Sequence, residues 1–153
     1  MNESKQLTGR KFATVVGLAG IAAIHLMDLP GKFAETPYLA VAYLGMIAAA
    51  VFLIERLVSH RDSIRLQRLE LMASAGLAAS VLIGFAVNRT VGMPGAMGDI
   101  GNWFEPLGFL SMFVEAFTIW QALAALSLVR RQASPSQPEP LQALGKREFA
   151  VNL

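Results

Sequence analysis

The chain has 153 residues, of which 54% are hydrophobic and 16% charged, with a mean hydropathy of +0.49. A soluble domain carries roughly 25% charged residues, so this composition argues against an ordinary soluble core. There is no cysteine, which removes disulfides, thiolate metal sites, CxxC redox chemistry and cysteine nucleophiles.

Residues 1–11 read as a short polar start carrying Lys5, Arg10 and Lys11. Four long apolar windows follow, at about 12–29, 38–54, 71–88 and 107–129. Each has the length of helix that crosses a hydrocarbon core of about 30 Å. Buried helices of a soluble bundle keep a polar face, and these windows do not. The first window follows a basic start, as a signal peptide would. It lacks a small-x-small cleavage site at "HLMDLPGKF", so the expectation is a retained span. Pro30-Gly31 reads as its stop signal. After "PGKFAETP", Thr36 is placed to cap the second helix, with Pro37 at its first position.

The connection "ERLVSHRDSIRLQRLE" contains no Gly or Pro, so helices two and three are expected to extend past the apolar zone. Arg61, Arg65 and Arg68 recur there at i, i+4 and i+7. They read as ordinary inner-side charge on one helix face, with anionic headgroups as the sharper alternative. Helix three carries Gly76, Ser80, Gly84 and Asn88 at four-residue spacing, a small-residue stripe that predicts close approach of another helix. Helix four has Gly108, Ser111, Glu115, Thr118 and Ala122. Helix two offers Gly45 and Ala49, and helix one Gly17, Ile21 and His25, with Asp28 one turn on. Short connections favour an all-α, integral membrane four-helix up-down bundle over residues 1–131. The Ser, Pro and Gln content of "QASPSQPEPLQ" predicts a flexible cytoplasmic tail over 132–153. Its last residues could dock a partner.

Lys and Arg set the expected orientation. Eleven of them fall before span one, between spans two and three, or after span four; Lys32 and Arg89 alone fall on the other side. Both termini are therefore expected in the cytoplasm, with the protein multi-pass in the plasma (inner) membrane of a bacterium. The pI near 9.3 then reflects topology. No nucleic-acid-binding motif accompanies it.

In that arrangement His25, Asp28, Glu35, Arg89, Asp99, Glu105 and Glu115 all fall in the outer half, supplied by four separate segments. A charge near the bilayer interior costs at least ~2.5 kcal/mol, so Glu115 needs a partner, a water-filled cavity or a proton. The residues His25, Asp28, Arg89, Glu105 and Glu115 form the expected ligand-binding set. His25 and Glu115 would bind, Arg89 would tune Glu115, and Asp28 and Glu105 would flank the entrance. The favoured ligand is a cation or protons.

His nitrogen with carboxylate oxygen also suits a divalent transition metal, with His25 and Glu115 as inner ligands. Met27, Met93 and Met97 are more simply packing material than Cu(I) ligands. Haem does not fit, because His25 and His60 fall at opposite ends of the spans. Catalysis, with His25 as base and Glu115 as acid on a lipid or quinone, has no GxSxG, HExxH or phosphate loop to support it. The sequon "NRT" at Asn88 lies too close to the span for a surface glycan. The alternative to binding is a non-catalytic accessory or scaffold subunit, in a homo-oligomer or with a partner membrane subunit, whose polar cluster locks helices three and four.

The loop "GMPGAMGDIGNW" is turn-rich. It is expected to fold back as a lid over the outer cluster, with Trp103 at the interface. Glu105-Pro106 starts helix four, with the carboxylate near the positive helix end. "NRTVGMPG", followed by Glu105 and Glu115, resembles small, uncharacterised four-helix bacterial integral membrane proteins with an R-T-x-G-[LM]-P outer loop. Met93 stands here where Leu is commoner. The match is clearest over Gly84–Glu115, with a weaker echo at His25. That resemblance implies the four-helix fold and joint importance of Arg89, Glu105 and Glu115; it carries no activity.

Overall fold

The computed structural model describes residues 3–59 and 63–133. They form four α-helices: α1 Glu3–Glu35, α2 Pro37–Val58, α3 Ile64–Thr90 and α4 Pro106–Ala133, with a short 3-10 helix at Met97–Asp99. The described residues contain no strand. All four helices are long and apolar enough to cross a membrane. Large apolar side chains such as Phe12, Val16, Phe52, Ile83 and Phe113 point outward. This is the inside-out pattern that a lipid environment permits.

Each helix is longer than its apolar window. α1 begins at Glu3, so most of the polar start is helical. α1 also runs through Pro30, which therefore does not stop it. Proline removes one backbone donor and crowds the preceding turn. Here the turns beyond it are held by Lys32, which pairs with Glu35 and with Asp99 of the loop, both at 3.8 Å. The α1–α2 connection shrinks to Thr36. Pro37 takes the first position of α2 as expected, but the Thr36 side chain makes no capping bond and its buried Oγ1 is unpartnered. α3 starts at Ile64, capped by Ser63, whose side chain accepts from the Leu66 amide at 3.5 Å. His60, Arg61 and the expected tail segment from residue 134 onward lie outside the described residues.

α1 packs on α2 and α4, and α3 packs on α4, while α2 and α3 are the loosest of the neighbouring pairs. Helices α1 and α4 approach through α1's glycines. A Cβ at Gly17 would strike the Thr118 side chain, and one at Gly20 would lie 2.9 Å from Val114 Cγ1. Gly76 and Gly84 do the opposite of what their stripe predicts. A Cβ on either meets nothing within 4 Å, and the same holds at Gly45. The stripe on α3 therefore faces open space instead of another helix.

The apolar core gathers at the end carrying both termini. Leu18, Leu53, Leu57, Leu71, Leu126 and Val129 cluster there. That end is also tied by Arg56 to Glu70 at 3.2 Å and by Arg10 to Gln121 at 2.8 Å. The opposite half, toward the Val91–Glu105 loop, is where the helices leave room.

Candidate functional site

A cavity of about 670 Å³ occupies the loop half of the bundle. Four of the five expected ligand-binding residues line it: His25, Asp28, Arg89 and Glu105. The fifth, Glu115, lies beneath. Its neighbour one turn up α4, Ser111, lines the cavity and donates its hydroxyl to Glu115 Oε1. Glu115 itself is 0% exposed, and its Oε2 has no hydrogen-bond partner.

Arg89 organises the loop. Its Nη1 lies 3.2 Å from Asp99 Oδ1 and donates to the Asp99 carbonyl at 3.3 Å; its Nη2 lies 3.5 Å from Glu105 Oε2. Its own carbonyl accepts from the Gly101 amide at 2.9 Å. One buried guanidinium thus joins the end of α3, the loop and the start of α4. The expected Arg89–Glu115 pair is not among the ion pairs of the described residues. Arg89 sits at the last turn of α3, whereas Glu115 is more than two turns down α4, so the loop carboxylates reach the guanidinium first. Glu105 has a second task as well. Its carboxylate accepts from the Leu107 amide at 3.1 Å and the Gly108 amide at 2.7 Å, which caps α4 at its positive end as expected.

The loop folds back over the cavity mouth, and its Met93 and Asp99 join the lining. Gly92 turns it at φ +84, where a Cβ would lie 2.8 Å from Met97 Sδ, so this corner needs glycine. Tyr38 donates to the Pro94 carbonyl at 2.7 Å, tying α2 to the loop. Trp103 packs edge-on to Phe85 at 6.0 Å, while Phe104 is 81% exposed.

Asp99 shows how the charges balance. Burial pushes its carboxyl up. The hydrogen bond from Asn88, the charges of Lys32 and Arg89, and the Arg89 hydrogen bond together outweigh burial and hold it below the usual carboxylate range. A depressed folded-state value contributes stability above the unfolded value and loses it as pH falls through the folded one. Acidification below the ordinary carboxylate range should therefore free the loop. Trp103 emission in detergent-purified protein should change in that acid window in wild type. Asp99→Asn should abolish the transition; an unchanged acid transition in that variant would show that another group anchors the loop.

His25 is 6% exposed. Its Nδ1 lies 2.9 Å from the Ile21 carbonyl, which puts a proton on that nitrogen. Its ring meets Tyr43 edge-on at 4.8 Å. The Tyr43 hydroxyl donates to Asp28 Oδ2 at 3.3 Å. The cavity carboxylate Asp28 enters none of the described ion pairs. Among the described residues no group of three or more His, Cys, Asp or Glu side chains could hold a metal ion. The expected pair, His25 and Glu115, therefore gains no third ligand of that kind.

The sequence reading missed Tyr43 as a site residue, and took Lys32 as a topology marker. Tyr43 carries a weak signal: a phenol in an otherwise chargeless apolar window. No family model, curated protein or solved structure matches the chain.

Proposed function

We propose that this is a multi-pass membrane protein that binds, or helps to transport, a cation or protons through the cavity at its loop end. On the charge asymmetry of its Lys and Arg residues, both termini face the cytoplasm and the cavity faces outward. One observation carries the binding reading: a fully buried carboxylate oxygen, Glu115 Oε2, without a protein partner. A group so placed must be met by a proton, a cation or water. His25, Asp28 and Ser111 line the cavity, and Ser111 donates to the other Glu115 oxygen, so the polar lining reaches the buried carboxylate through Ser111.

Infrared difference spectra of purified protein, taken across an acid–base titration, test this. A carboxylic C=O band should appear and should vanish in Glu115→Gln. The amide is nearly isosteric and still accepts from Ser111, so the variant should keep the wild-type melting temperature. Spectra identical in wild type and variant would remove Glu115 as a proton site.

A second reading has its own observation. The guanidinium of Arg89 bridges Asp99 and Glu105, so part of the polar cluster is a brace. An accessory or scaffold subunit would need that brace and no ligand.

A further inference from the structure

The cavity is much larger than a proton or a metal ion needs. Its 670 Å³ falls within the roughly 300–1,000 Å³ of small-molecule sites. Its lining is also divided. Toward the loop it is polar. Away from the loop it is walled by Met46 and Ala49 of α2 and by Leu77 and Val81 of α3. From Leu39 to Ala49 it follows α2 for about 15 Å.

The apolar part opens sideways. It lies between α2 and α3, the loosest pair of neighbouring helices, and the lining residues Ala42, Gly45 and Ser80 on its rim are exposed. Gly45 and Gly84 leave space that a side chain would fill. A ligand could enter here from the hydrocarbon without crossing the loop.

Charge selects the kind of ligand. Four carboxylates, Asp28, Glu35, Asp99 and Glu105, line the cavity against two cations, Lys32 and Arg89. Both cations are already engaged: Lys32 with Glu35 and Asp99, Arg89 with Asp99 and Glu105. Asp28 is paired with no cation among the described residues. Tyr43 beside it lines the cavity, and an aromatic ring is a second attraction for positive charge. Glu115, buried beneath the lining residue Ser111, adds a further carboxyl group to this end of the bundle.

We infer that the cavity takes an amphipathic organic cation, with its positive head beside Asp28 and Tyr43 and its apolar body between α2 and α3. This rests on the cation reading above and narrows it from any cation to a lipophilic one admitted from the bilayer.

Equilibrium dialysis of the full chain in mild detergent tests it with two probes of one shape and opposite charge, tetraphenylphosphonium and tetraphenylborate. The wild type should bind the phosphonium saturably and the borate at least tenfold more weakly. Asp28→Asn should lose at least tenfold for the phosphonium. Gly84→Leu, which fills the cavity and leaves its charges alone, should lose binding of both. No saturable phosphonium binding, equal binding of the two probes, or full affinity in Gly84→Leu would each overturn the inference. Should Asp28→Asn fail to fold, the charge contrast in wild type and the Gly84→Leu result still decide. The infrared band of Glu115 separates the two levels: dialysis failing with the band intact removes only the organic cation. Loss of the band's Glu115 dependence removes the proton site beneath it.

Discussion

Arg89→Ala should lower the stability of the detergent-solubilised protein by roughly 2–3 kcal/mol. Removing one partner of a fully buried pair costs about 3–5 kcal/mol. The lower figure applies because Asp99 and Glu105 keep part of their surface exposed, at 25% and 36%, where solvent screens them. The loss has three parts. Asp99 and Glu105 are left facing each other without the guanidinium, the Asp99 carbonyl loses a donor, and Phe85 loses the guanidinium stacked 5.0 Å from its centroid. Arg89→Lys should recover part of the stability, because it restores charge without the fork that reaches two carboxylates at once. Thermal melting of the three proteins, with proteolysis between Met93 and Trp103, checks both statements. An Arg89→Ala protein that melts with wild type and keeps its loop intact would show that the brace is incidental.

Gly17→Leu should force α1 and α4 apart and destabilise the protein. Even a Cβ at this site would overlap the Thr118 side chain and approach the Thr118 Cα to 3.3 Å. Backbone atoms cannot step aside as a flexible side chain would, so α1 and α4 must separate. Overpacking of this kind costs about 1–3 kcal/mol, occasionally more. Gly17→Ala should cost less, and Thr118→Ala should relieve part of it by removing the hydroxyl. Gly76→Ala provides the contrast. Its Cβ meets nothing, and alanine favours a helix interior over glycine by ~1 kcal/mol, so that variant should melt at or above wild type. Both melting shifts can be read in one detergent. Equal effects at Gly17 and Gly76 would mean that the α1–α4 contact is not the close one.

The two glycines also show where sequence reading stops. A small-residue stripe reports one helix face, and says nothing of what stands opposite. Gly17 and Gly76 look alike in sequence, yet one is pressed against Thr118 and the other faces space. Proline is similar. Pro30 carries a local preference to end a helix, yet α1 runs on to Glu35, and Lys32 beyond the proline meets Asp99 of the loop. Thr36 has the chemistry of a cap, but its backbone lies outside the usual cap geometry, at φ −144 and ψ 76, and its side chain makes no capping bond.

Other features were fully local and so were legible. Four apolar windows of membrane-crossing length, two of them without any charge and two with a single carboxylate, dictate four helices, because hydropathy is summed over neighbours along the chain. The placement of His25, Asp28, Arg89, Glu105 and Glu115 in one half follows from counting residues along antiparallel helices. The start of α4 follows from Glu105-Pro106. What the tertiary structure alone decided was pairing and space. It gave Arg89 to Asp99 and Glu105 instead of Glu115, paired Asp28 with no cation among the described residues, brought Tyr43 to it, and opened a cavity between α2 and α3. These depend on helix rotation and separation, to which residues far apart in the chain contribute together. No window of sequence contains that sum.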